Sequence, residues 1–130
     1  MQIHQSAEDY LETILMLSQR MGKVRSIDVV NELGFTKASV SIAMKKLREN
    51  GYIAVDGEGN LTLLEPGREI AERIYSRHRL LTHFFMQLGV DEKIAAEDAC
   101  KAEHILSEET LAKIREQALL HDAEESAKNG

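Results

Sequence analysis

Between positions 34 and 64 the chain reads "GFTKASVSIAMKKLRENGYIAVDGEGNLTLL", and no other stretch limits the fold as strongly. Gly34 marks a turn and Thr36 stands as an N-cap. Val40, Ala43, Met44 and Leu47 then recur at helical spacing, which predicts a helix over 36–49. Asn50 and Gly51 stop it. The apolar runs "YIAV" (52–55) and "LTLL" (61–64) flank "DGEGN", the pattern of a two-stranded hairpin with a polar, glycine-rich tip. Upstream, Leu11, Ile14, Leu15 and Leu17 mark a helix over 7–20 that Gly22 closes. A short helix follows over 26–33, with Ser26 as expected N-cap and Asp28 in its first turn. Helix, helix, turn, helix, hairpin is the order of a winged helix-turn-helix, whose last helix enters the DNA major groove while the hairpin serves as the wing.

Charge placement agrees with this. The chain is acidic overall, with a formal net charge of −6, which argues against a generic nucleic-acid binder. Yet from Thr36 to Arg48 it carries Lys37, Lys45, Lys46 and Arg48 and no acid. A basic element on an acidic protein points to one specific surface for a polyanion. Thr36, Lys37, Ser39 and Ser41 offer short groups that let a helix approach base edges, while Lys45, Lys46 and Arg48 can meet phosphates. The plain alternative is a solvated amphipathic helix.

The rest of the chain reads as helix. Pro66 suits the first turn of a long helix over 66–88, with a stripe through Ile70, Ile74, His78, Leu81, Phe85 and Leu88, and Gly89 ends it. A fifth helix is predicted over 91–105. A sixth begins after Ser107, the expected cap, and runs to about residue 120. These helices hold too little to enclose a large pocket, and they carry abundant apolar surface, so a second copy of the chain is the expected cover. The fold class is therefore mainly α: a winged helix-turn-helix DNA-binding domain (1–64), an all-helical dimerisation domain (65–120) and a polar tail (121–130).

"CKAEH" places the only cysteine, Cys100, at helical i, i+3 and i+4 spacing with Glu103 and His104. Read alone, such a cysteine is an ordinary buried thiol. Two further features raise the prospect of ligation. His78 interrupts an apolar stripe where leucine is expected, and Asp9 and Glu12 form an i, i+3 carboxylate pair on the first helix, although acids in a first turn also favour the helix dipole. Six groups of metal-ligand type on three helices suit one or two divalent ions.

Together, "SAEDYLETI", the winged helix, "SRHRLL" and "CKAEHILS" resemble the diphtheria-toxin-repressor family of metal-dependent transcriptional regulators, in the right order and over residues 6 to about 118. The resemblance is to the short, two-domain manganese-transport-regulator branch. It implies that Asp9, Glu12, His78, Cys100, Glu103 and His104 are metal ligands, and that the chain is a repressor which binds palindromic double-stranded operator DNA as a homodimer. Position 100 departs from the manganese type, which carries a carboxylate there; the iron type carries cysteine. Position 9 is aspartate, as in the manganese type, where the iron type has methionine. Thr82 and Ala96 stand where iron-type members place ancillary-site ligands, so that separate site is not implied. Hard oxygen donors favour Mn(II), and a thiolate shifts preference toward Fe(II), Co(II) or Zn(II). Mn(II) or Fe(II) is the expected signal, with Co(II) or Zn(II) able to bind in vitro.

Two other classes compete with this reading: a metal-independent winged-helix regulator sensing another small ligand, and a small metal-dependent hydrolase. Nothing resembles a substrate cleft, so no enzyme and no protein substrate are expected. A single cysteine excludes an internal disulfide framework, and "MQIHQSAEDY" shows no signal-peptide pattern. A cytoplasmic location with no membrane partner is the expectation.

Overall fold

The structure, a computed structural model, describes residues 5–129. Six helices and three short strands follow one another as α1 (Gln5–Met21), β1 (Val24–Arg25), α2 (Ser26–Leu33), α3 (Lys37–Glu49), β2 (Ile53–Val55), β3 (Asn60–Leu63), α4 (Glu65–Gln87), α5 (Glu92–Ala102) and α6 (Glu108–Asn129). The chain divides into two compact units, and the division falls inside α4, between Arg73 and Ile74. Among the described residues no helix is long and apolar enough to cross a membrane.

In the first unit the apolar faces of α1, α2, α3 and the sheet close on one core. Leu11, Ile14, Leu15, Val24, Val29, Val40, Met44, Leu47, Ile53 and Leu61 are all buried in it. The turn between α2 and α3 uses Gly34 in the left-handed region (φ 70°), a conformation that costs a side-chain-bearing residue about 1–2 kcal/mol. Its amide caps α2 by donating to Val30 O at 2.8 Å. Thr36 then caps α3 as expected, its Oγ1 accepting from Ser39 N at 3.1 Å. On α2 the N-cap is Arg25, not Ser26: the Asp28 carboxylate accepts the Arg25 amide at 2.9 Å, so the acid does the capping.

The wing has one strand more than the sequence pattern shows. β2 and β3 pair antiparallel with Ile53 opposite Leu63, and β1 adds to the other edge of β3 with Val24 opposite Leu61. Two residues carry no alternation to read, so β1 exists only through the partner it meets. Gly67 explains how α4 starts so close to this sheet. A Cβ there would lie 2.2 Å from Tyr52 O, a distance no side chain tolerates.

The second unit is built on Leu81, Ala99 and Leu111, with Leu80, Phe85, Ala102, Leu106 and Ile114 packed around them. The stripe predicted for α4 holds through Phe85, but Leu88 is 66% exposed. α5 stops at Ala102, short of the expected 105, and residues 103–105 form a turn. Ser107 Oγ then accepts Thr110 N at 3.2 Å and opens α6. That helix continues past residue 120 to Asn129; Gly130 lies outside the described residues.

Candidate metal and nucleic-acid sites

Glu103 is the most buried charged group of the second unit, with no measurable exposure. A carboxylate removed from water is costly unless hydrogen-bonded and paired. Its partners here are imidazoles: His78 Nδ1 lies 3.0 Å from Oε2, and His104 Nε2 lies 3.4 Å from Oε1. Among the described residues Oε1 has no hydrogen-bond donor, so one acceptor of a fully buried acid is unsatisfied there. The backbone around this acid is pinned on both sides. Glu103 N donates to Ala99 O at 2.9 Å, and Glu103 O accepts from Arg77 Nη1 at 3.1 Å. Arg77 also pairs with the Glu108 carboxylate at the start of α6. One guanidinium thereby ties α4, the turn and α6 together.

The end of α5 falls within the "CKAEH" trio. Glu103 and His104 sit in the turn with buried side chains, 0% and 2% exposed, whereas Cys100 stays on the helix and is exposed. Among the described residues, the ligand-type atoms gathered around Glu103 do not include the Cys100 sulfur. His78 is held in its register by α4, and its carbonyl accepts the Thr82 hydroxyl at 2.7 Å. Thr82 is thus spent on the helix backbone. A nitrogen–oxygen donor set with an unsatisfied buried carboxylate oxygen is chemically suited to a divalent cation, which would supply the missing positive charge.

In the first unit, Asp9 and Glu12 lie on α1. Asp9 is partly buried and Glu12 is 5% exposed. Burial pushes the Tyr10 phenol above its ordinary range, and the negative charge of Asp9 adds to the shift. Tyr10 packs edge-to-face on Phe35, with ring centroids 5.9 Å apart. That contact holds α1 beside the turn that leads into α3.

α3 presents the groups expected for a polyanion. Thr36, Lys37, Ser39, Ser41, Lys45, Lys46 and Arg48 are all exposed, opposite the buried Val40, Met44 and Leu47. Thr36 and Ser39 are partly committed to each other, because the Thr36 hydroxyl donates to Ser39 Oγ at 2.8 Å. Ser41, Lys45 and Arg48 border a shallow depression with Ser26, Met44 and Val55, so the basic helix and the wing strand share one surface. The wing tip is ordered by Asp56, whose carboxylate accepts Glu58 N, Asn60 N and Asn60 Nδ2, each at 2.9 Å. Hydrogen bonds from Asn60 hold the Asp56 carboxyl below its usual range.

Two contributors are not among the candidate site residues the sequence singles out. Arg77 stands beside His78 in "SRHRLL", but its role depends on where the 103–105 turn falls. Asp56 sits in a stretch that reads simply as a polar tip; an Asp four residues before an Asn across a glycine turn was the available signal.

Known proteins resemble both halves. Residues 2–61 match the family model for the iron dependent repressor N-terminal DNA binding domain. Residues 64–124 match that for the iron dependent repressor metal binding and dimerisation domain. An uncharacterized HTH-type transcriptional regulator of Methanocaldococcus jannaschii is 36% identical over 113 residues, covering 85% of this chain and 90% of that one. The HTH-type transcriptional regulator MntR of Bacillus velezensis is 32% identical over 123 residues, covering 95% of this chain and 87% of its own. Among solved structures, a manganese-dependent transcriptional repressor in complex with manganese superimposes with a TM-score of 0.78 at 30% identity, over 86% of this chain and 52% of that one. The manganese regulator SloR gives 0.74 at 26% identity, over 89% and 54%. The chain spans about half the length of these two solved relatives. With both halves matched in order, the chain belongs to the iron-dependent repressor family, the diphtheria-toxin-repressor family of metal-dependent transcriptional regulators.

Proposed function

We propose that this protein is a metal-responsive repressor that binds palindromic operator DNA as a homodimer when Mn(II) or Fe(II) is bound, and so controls genes of metal uptake. The observation that carries the reading is Glu103, a fully buried carboxylate flanked by two imidazoles, with one oxygen lacking a donor among the described residues. Such an arrangement is costly as pure structure and suitable as a ligand set.

In this reading His78, Glu103 and His104 form the centre of the site, Cys100 contributes a thiolate, and Asp9 and Glu12 contribute carboxylates from α1. The bound cation supplies positive charge to several acids at once. Asp9 and Glu12 belong to the helix whose Tyr10 packs on Phe35, one residue before the α3 cap at Thr36. Fixing α1 therefore fixes the frame that carries α3. Coupling of this kind is typically worth about 1–3 kcal/mol. Homodimerisation is supported by the description of the second family model and by the exposed apolar residues Leu88, Ile105, Leu119 and Leu120. A twofold pair would present two α3 helices about 34 Å apart, one turn of DNA.

The test is selection of binding sequences from random duplex DNA by the full chain, run anaerobically with Mn(II), with Fe(II) and with a chelator. A palindrome enriched only with metal is the expected result. The same palindrome enriched with chelator would remove the metal from the mechanism and leave Glu103 as packing.

A further inference from the structure

We infer that Ile42 is a base-reading residue, and that it selects thymine by packing on the C5-methyl group in the major groove; the inference rests on the operator-binding reading above. Ile42 is 58% exposed in the middle of α3. It lies two residues after Val40 and two before Met44, which on a 3.6-residue turn puts it across the helix from both buried residues. The core therefore has no use for it. Nor does the helix, since a β-branched side chain is a poorer helix former than the Lys, Gln or Ala that an exposed position would otherwise favour.

Its surroundings supply the reason to keep it. One turn earlier on the same face stand Ala38 and Ser39, and one turn later Lys45 and Lys46, all exposed. Small residues on one side let the helix come close, and ammonium groups on the other can anchor it to phosphates. Between them sits one large apolar side chain. The major groove offers a matching apolar group at one base alone, the thymine methyl. An isoleucine in that position cannot exchange hydrogen bonds with guanine, adenine or cytosine, and it would cover their polar edges without compensation. Thymine is therefore favoured by the contact that its methyl makes.

The experiment begins with the selection described above, using the full chain and Mn(II), for the native sequence and for Ile42→Ala and Ile42→Gln. Both replacements are exposed and favour helix, so folding is preserved. Each thymine in the enriched half-site is then replaced by deoxyuridine, which removes the methyl and nothing else. At one thymine the native protein should lose about three- to five-fold in affinity, the loss expected for one buried methyl-sized group, while Ile42→Ala should lose nothing there. Ile42→Gln should shift the preference at that pair toward adenine, which glutamine can bond through two hydrogen bonds. An enriched palindrome whose deoxyuridine losses are identical in the native protein and Ile42→Ala would overturn the role of Ile42 and leave operator binding intact. Failure of the native protein to enrich any sequence would bring down both.

Discussion

The two units of this chain spend their apolar residues differently. In the first, most helix and sheet faces turn inward, and Leu11, Val29 and Val40 reach zero exposure, with Ile42 an exception at 58%. In the second, a small core of Leu81, Ala99 and Leu111 is accompanied by Leu88, Ile94, Ile105, Leu119 and Leu120, which stay more than half exposed. The second unit also places a carboxylate at 0% exposure, where a leucine would pack more cheaply. The winged unit thus looks like a fold optimised to hold a shape. The helical unit gives up packing in two places, at its exposed apolar residues and at its buried acid.

The largest test of this contrast is a pair of leucine truncations. Leu11→Ala should destabilise the chain by about 2–5 kcal/mol in urea unfolding, since it opens a cavity in a closed core. Leu119→Ala should change the unfolding of the isolated chain by no more than about 0.5 kcal/mol. Equal losses would show that the two units are packed alike.

Glu103→Ala comes next. Calorimetric titration with Mn(II) should show affinity reduced by at least about 100-fold, near 2.7 kcal/mol, with helix content by circular dichroism unchanged. If the variant binds Mn(II) as tightly as the native chain, the buried acid is only a costly structural group. Arg77→Ala should have a smaller effect of the same kind, a loss of about ten-fold, because it holds the Glu103 carbonyl without itself offering a ligand. Arg77→Lys keeps the charge but not the two-sided grip on Glu103 O and Glu108, so it should recover little.

The smallest effect belongs to the wing. The folded Asp56 carboxyl lies below its ordinary value of 3.8, so its contribution is present above that value and is lost as the pH falls through the folded pKa. Acidification below 3.8 should release the Glu58 and Asn60 amides, read as chemical-shift changes confined to the turn. Asp56→Asn should show no such titration. Changes spread through α3 would mean that the wing and α3 are mechanically one.

Much of this molecule is legible in the chain itself, because the signals are local. Thr36 before an apolar-periodic run, Asn50–Gly51 after it and a glycine-rich link between two short apolar runs specify α3 and the wing within a few residues. The identity of the ligand-type residues is legible for a different reason: imidazole, thiol and carboxylate announce their chemistry wherever they fall. Local signals do not carry the placement of those groups. β1 has only two residues and is defined by pairing with β3, so no periodicity could reveal it. The point where α5 ends is set by how Ala99, Ala102 and Leu106 pack, together with the grip of Arg77 on Glu103 O. Helical spacing puts Cys100, Glu103 and His104 on one face, and only the tertiary fold shows that the acid and the imidazole have buried side chains while the thiol is exposed. Sequence determined which chemistry is available; long-range packing decided which of it is shielded from water, and shielding is what makes a carboxylate a strong ligand.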